Sequence, residues 1–295
     1  MYNGLKNRKG VLVMFSDDFW KQYKEFTTRI VESVVPIIED VRKTVQESIM
    51  NFPSESFVEL GEMLRGINDE AIQFKSIIVE LGYPPHTEIS IPLMRGIVSD
   101  YNEHGIECVK EYIDEVMIFN FDYEFLDFLS RKWEKNEFVK DRIQVLRNVI
   151  KCHNQQMYSA SIPTLLPQLE GIIAKGFKHE GILSGNHQKI YLKNLLIDPS
   201  ENEDAFKFEQ ALHNFYLQHI LVNFKHGEVI LSDVSRHAIL HGGKVDYGSE
   251  ANSLKIILAF DFLLDSLSSL TEDVITDAHK EIRSLVNQSK QKNKN

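Results

Sequence analysis

The chain has 295 residues, 43% of them hydrophobic and 26% charged, with a formal net charge of −10 and two cysteines, Cys108 and Cys152. This is the composition of a globular chain with ample apolar material for a core, in one large or two modest domains, and not of a disordered one. Two cysteines without C-x-x-C spacing exclude a disulfide framework and a zinc ribbon, and the acidic balance argues against general affinity for nucleic acid, which requires a basic patch.

Lys6, Arg8 and Lys9 precede the apolar run Val11–Phe15, which is too short for a signal-peptide core and is closed by Ser16-Asp17-Asp18. No stretch approaches the roughly 20 apolar residues of a membrane span. A cytoplasmic location is therefore expected. Few glycines and prolines, and no alternating β-branched runs, predict an all-α fold. Periodic apolar residues predict helices over Phe19–Ile49, with a kink at Pro36, over Ser54–Leu64, and over Glu70–Leu81, where Gly82-Tyr83-Pro84-Pro85 is a strong breaker. Ile89–Val98, Glu103–Phe119 and Tyr123–Lys135 follow. The carboxylates between Asp100 and Asp127 read as a solvated face or an acidic docking surface.

Further on, Phe138–Gln156 reads as a long helix, and a second apolar helix carries Leu165, Leu166, Leu169, Ile172 and Ile173. Asn186–Leu196, Glu203–Val222, Ser232–His241 and Ser253–Leu270 are the next helices, the third of them stopped by Gly242-Gly243. Asn252 and Ser253 fall at the start of the last, where capping is the natural role. The end of the chain, with Lys290, Lys292 and Lys294, is expected to be a basic disordered tail over residues 286–295.

The most informative stretch is Arg236-His237-Ala238-Ile239-Leu240-His241. His237 and His241 are four apart and share a helix face, and Asp233 extends the same stripe. Three chemistries compete. Arg and His on a helix often satisfy carbonyls or cap an end, where the macrodipole favours a charged His241. His-x3-His is also ligand spacing, with Asp233 as a third donor, but Arg236 beside it repels a cation and no H-E-x-x-H glutamate is present. The third is phosphodiester cleavage without a metal, in which a histidine moves a proton and an arginine stabilises charge growing on phosphate.

Arg236-His237-x3-His241, followed by Gly242, the run Asp246–Lys255 and an apolar helix, resembles the active-site block of ribonucleases of the HEPN superfamily (higher eukaryotes and prokaryotes nucleotide-binding). Tyr158–Ile172 resembles the first helical hairpin of that family, and the resemblance covers roughly Trp133 to Leu285. It implies an HEPN-like helical bundle over 131–285, preceded by a helical N-terminal domain over 1–130 that senses a trigger, restrains the nuclease or binds a regulatory protein. It also implies a homodimer with two motifs facing across the cleft, RNA as substrate, no metal and no cofactor. Active members cut by attack of the 2′-hydroxyl on the adjacent phosphate, and many act in phage defence or toxin–antitoxin systems. Carried over, Arg236 contacts the scissile phosphate, His241 is general base or acid, and His237 stands where the family has a polar helper. Glu170 and Asn252 are candidate supporting residues. The alternative is a non-catalytic nucleotide- or protein-binding module, which the acidic charge favours. A positive groove at Arg236 flanked by Lys244 or Lys255 would point to RNA, and an acidic surround to another partner. On an ideal helix Arg236 and His241 diverge by about 140°, so they meet at one phosphate only if the helix frays near Gly242 or a second subunit supplies one of them.

Overall fold

The computed structural model describes residues 69–197 and 208–292. The helices expected over Phe19–Ile49 and Ser54–Leu64 lie outside the described residues. Every regular element among the described residues is helical, as the sequence predicts. No helix among them is long and apolar enough to cross a membrane.

The contacts divide the chain into two compact units, Met1–Ala71 with Ser90–Ser99, and Ile72–Ile89 with Asp100–Asn295. In the first, Ser90 Oγ accepts from Leu93 N–H and Arg95 pairs with Glu70 at 2.5 Å. The second carries the candidate site. Helices are numbered from the first described: α1 (69–80), α2 (Ile91–His104), α3 (Ile106–Asn120), α4 (Tyr123–Glu134), α5 (Ile143–Asn154), α6 (Tyr158–Gly176), α7 (Gly185–Leu196), α8 (Phe208–Phe215), α9 (Arg236–Leu240), α10 (Glu250–Ser268) and α11 (Glu272–Lys292).

Several boundaries differ from the periodicity for local reasons. The helix expected over Glu103–Phe119 is broken at Gly105, whose φ of +80° lies in the left-handed region that glycine tolerates. Phe138–Gln156 splits into a 3₁₀ segment, Glu137–Arg142, and α5, with Asn136 capping Phe138 N–H. The helix expected to reach Val222 ends as a π-helical turn, Tyr216–Ile220. Backbone helix continues to Lys292, through most of the expected disordered tail, because 281–292 is rich in helix formers and holds no glycine or proline.

α10 is the axis of the second unit. Every residue from Ala251 to Leu264 is buried, and the helix packs along α6 and against α3, α7 and α8. A helix apolar on nearly all sides must lie inside a bundle. α3, on the N-terminal side of the division expected near residue 130, and α4, which straddles it, share this unit with the later helices. Two hydrogen-bonded networks hold polar side chains within the core. Asp261, 1% exposed, accepts from Trp133 Nε1 at 2.7 Å and Lys132 Nζ at 3.0 Å, with His86 Nε2 at 3.2 Å. Burial opposes its charge, but the His86 hydrogen bond and the Lys132 and His86 charges hold its carboxyl below the usual range. A second network joins α5, α6 and α10: His153 Nδ1 lies 2.8 Å from Ser253 Oγ, which donates to Ser161 Oγ, which donates to Val149 C=O. Ser253 is therefore a buried network member, not a cap.

α6 contains Pro163 and Pro167. Pro163 has no N–H for the carbonyl of Ser159 one turn earlier, and Tyr247 Oη donates to that carbonyl at 3.3 Å. The loop before α10 thus completes the proline-broken ladder of α6.

Candidate functional site

α9 is a five-residue helix with a serine cap at its start and a glycine just past its end. Ser235 is its N-cap, its Oγ accepting from Ala238 N–H at 3.3 Å. The helix expected from Ser232 thus starts at Arg236, and Asp233 lies in the preceding turn rather than on a stripe with His237. At the other end His241 is the C-cap and Gly242 has φ +73°. Gly242 N–H bonds to Ile239 C=O and Gly243 N–H to Ala238 C=O, the Schellman closure that a glycine in this conformation permits. His241 N–H still bonds to His237 C=O at 3.1 Å, so the helix does not fray at His241.

α9 packs against α6. Arg236 forms an ion pair with Glu170 of α6, their side chains 19% and 25% exposed. Glu170, a candidate supporting residue, thus meets the arginine directly. The Arg236 Nε is buried with no hydrogen-bond partner. The rings of His237 and His241 lie parallel, 6.1 Å apart between centroids with 4° between planes. His237 is half-buried and His241 exposed. Burial pushes the His237 pKa down, the Arg236 and His241 charges push the same way, and Glu170 opposes them. His237 therefore stands neutral near pH 7, between an arginine–glutamate pair and a solvent-facing imidazole. Such a trio can bind an anion once Arg236 turns from Glu170, and can accept a proton at His237.

Asn252 does not join them. It is 6% exposed, donates to Tyr247 C=O at 3.0 Å, and its N–H bonds to Ser249 Oγ at 3.1 Å. Ser249 is the N-cap of α10, so Asn252 sits inside the helix and holds the Tyr247 loop in place.

Both lysines that flank the motif in sequence are engaged. Lys244 Nζ bridges Asp233 at 3.0 Å and Asp246 at 3.2 Å, its side chain 10% exposed. It ties the entry of α9 to its exit. Burial disfavours the charged Lys244, but the two aspartates outweigh it and raise its pKa. Lys255 is buried on α10, with Asp114 at 3.6 Å and the Tyr83 ring 4.6 Å below its ammonium. Among the described residues no group of three or more His, Cys, Asp and Glu side chains is placed to hold a metal ion. Asp233, the third donor considered beside His237 and His241, is bound to Lys244 instead.

Sequence reading missed the segment before α9. The π-helical turn ends at Ile220, and Ser232 Oγ donates to the His219 carbonyl at 2.7 Å while Ser235 Oγ donates to that of Val222 at 3.4 Å. The ring of Phe224 covers Gly243 so closely that a Cβ there would fall 1.9 Å from it. The one signal available was Ser-x-x-Ser ahead of a short polar helix. No family model matches the chain, and neither does any curated protein or solved structure, so the site is read from its own geometry.

Proposed function

We propose that the chain is a metal-independent endoribonuclease whose site is Arg236, His237 and His241, supported by Glu170. The observation that carries this reading is the setting of α9: Arg236 against Glu170, and a His237 held neutral beside the exposed His241. In the reaction, an imidazole takes the proton of a ribose 2′-hydroxyl and the 2′-oxygen attacks the adjacent phosphorus. The bond from phosphorus to the 5′-oxygen breaks, and a protonated imidazole gives its proton to that oxygen. The products are a 2′,3′-cyclic phosphate and a free 5′-hydroxyl. Arg236 neutralises the negative charge that grows on the non-bridging oxygens of the phosphate. Because α9 is unfrayed at His241, Arg236 and His241 of one chain stay apart, and a homodimer supplies the partner across the cleft. The N-terminal part holds the nuclease in check or binds a regulatory protein, in keeping with a role in phage defence or a toxin–antitoxin system.

A second reading is a non-catalytic nucleotide- or protein-binding module. It is favoured by the engagement of Lys244 and Lys255 with aspartates, which leaves neither lysine to a phosphate backbone. RNA cleavage by the purified protein in EDTA, beside Arg236→Ala and His241→Ala, separates the two. The nuclease reading expects cyclic-phosphate ends from wild type and loss of cleavage in both folded variants. Absence of cleavage on several RNAs points to the module, or to a nuclease held off until its trigger arrives.

A further inference from the structure

Two buried hydroxyls sit where the chain enters α9. Ser232 is 2% exposed and Ser235 is fully buried. Each works in both directions. Ser232 Oγ donates to the His219 carbonyl and accepts from Val234 N–H at 3.2 Å. Ser235 Oγ donates to the Val222 carbonyl and accepts from Ala238 N–H.

The carbonyls they reach are three residues apart, and so are the serines, so the same chain offset is bridged twice. The register follows from the π-helical turn. A helix that ends at Ile220 leaves its last carbonyls without intrahelical donors, and the wider i→i+5 turn, closed by Leu221 N–H on Tyr216 C=O at 2.8 Å, sets where they point. His219 is itself fixed, its Nε2 2.9 Å from Val79 C=O and its ring stacked on Phe215. Residues 222–235 therefore form a loop whose base is stapled to a rigid turn. Phe224, within that loop, lies over Gly243 beyond the other end of α9.

We propose that Ser232 and Ser235 are positioning residues: with Phe224 they set the register and tilt at which α9 presents Arg236 and His237 to Glu170. A five-residue helix has too few internal hydrogen bonds to hold its own orientation. An error of about 1 Å in placing a reacting group can cost on the order of 100-fold in rate. The inference rests on the reading of Arg236, His237 and His241 as the functional trio.

The test uses the full-length chain and the variants Ser232→Ala and Phe224→Leu. Ser232→Ala removes one staple without touching the N-cap of α9, and Phe224→Leu loosens the opposite end without touching a buried hydroxyl. Two quantities are read: the NMR titration of the His237 and His241 imidazoles, and kcat and KM on RNA. In variants that melt within about 4 °C of wild type, the His237 titration shifts and kcat falls about tenfold with KM unchanged. A wild-type His237 titration in both folded variants overturns the proposal. If Ser232→Ala does not fold, Ser232→Cys, which keeps the size of the side chain and weakens its donor, decides by the same criterion. If the wild type cuts no RNA, the imidazole titrations alone decide the positioning role.

Discussion

At the scale of single residues, the site is a balance between one cation and its neighbours. Arg236 is neutralised by Glu170 and at the same time depresses the His237 pKa through space. The sign of one substitution follows. Arg236→Gln removes a positive charge that disfavours the imidazolium, so the His237 titration moves up towards the ordinary value of about 6.5. An imidazole NMR titration checks it. A His237 midpoint unchanged in Arg236→Gln would mean that burial, and not the Arg236 charge, sets the pKa. Asn252 shows the opposite outcome: its side chain serves the loop before α10, and its amide is committed to the Tyr247 carbonyl.

At the scale of elements, α9 depends on what surrounds it. The loop ring of Phe224 occupies the space where a Cβ at residue 243 would be. Gly243→Ala must expel that ring and disturb the Schellman closure, and is expected to destabilise the protein by about 2 kcal/mol. Urea denaturation measures it. A midpoint equal to wild type would show that the ring swings aside freely. The same dependence on neighbours holds for α6, whose proline-freed carbonyl at Ser159 is met by Tyr247 from a loop 88 residues away.

At the scale of the whole molecule, four buried or half-buried histidines share one direction. Burial lowers the pKa of His153, His213, His219 and His237, against weaker opposing charges or hydrogen bonds. A histidine whose folded pKa lies below its unfolded value binds fewer protons when folded. Its contribution to stability is present above about pH 6.5 and is lost as pH falls through the folded pKa. Asp261, also lowered, keeps its contribution above the ordinary carboxylate value and loses it only at lower pH. Urea midpoints at pH 7.5, 6 and 5 should therefore decline in that order, before the carboxylates titrate. A flat profile across this window would refute the assignment.

The sequence by itself determined the all-α class, the stop of α9 at Gly242-Gly243 and the shared face of His237 and His241. Each depends on local rules, namely apolar periodicity, the left-handed freedom of glycine and the four-residue helical repeat. Glu170, a candidate supporting residue on the resemblance alone, forms an ion pair with Arg236 across 66 residues of chain. Only the tertiary structure decided the rest. The start of α9 moved from Ser232 to Arg236 because Ser232 finds a carbonyl 13 residues back, a partner that periodicity does not encode. Asp233 left the histidine stripe for Lys244, and Lys255 was drawn into the core by Asp114 and Tyr83. The π-helical turn likewise escaped notice, since its wider hydrogen-bond spacing leaves no mark in the spacing of apolar residues. Helix, cap and face are written within one or two turns of chain, whereas the pairing of charges and the pinning of a short helix depend on segments far apart in sequence.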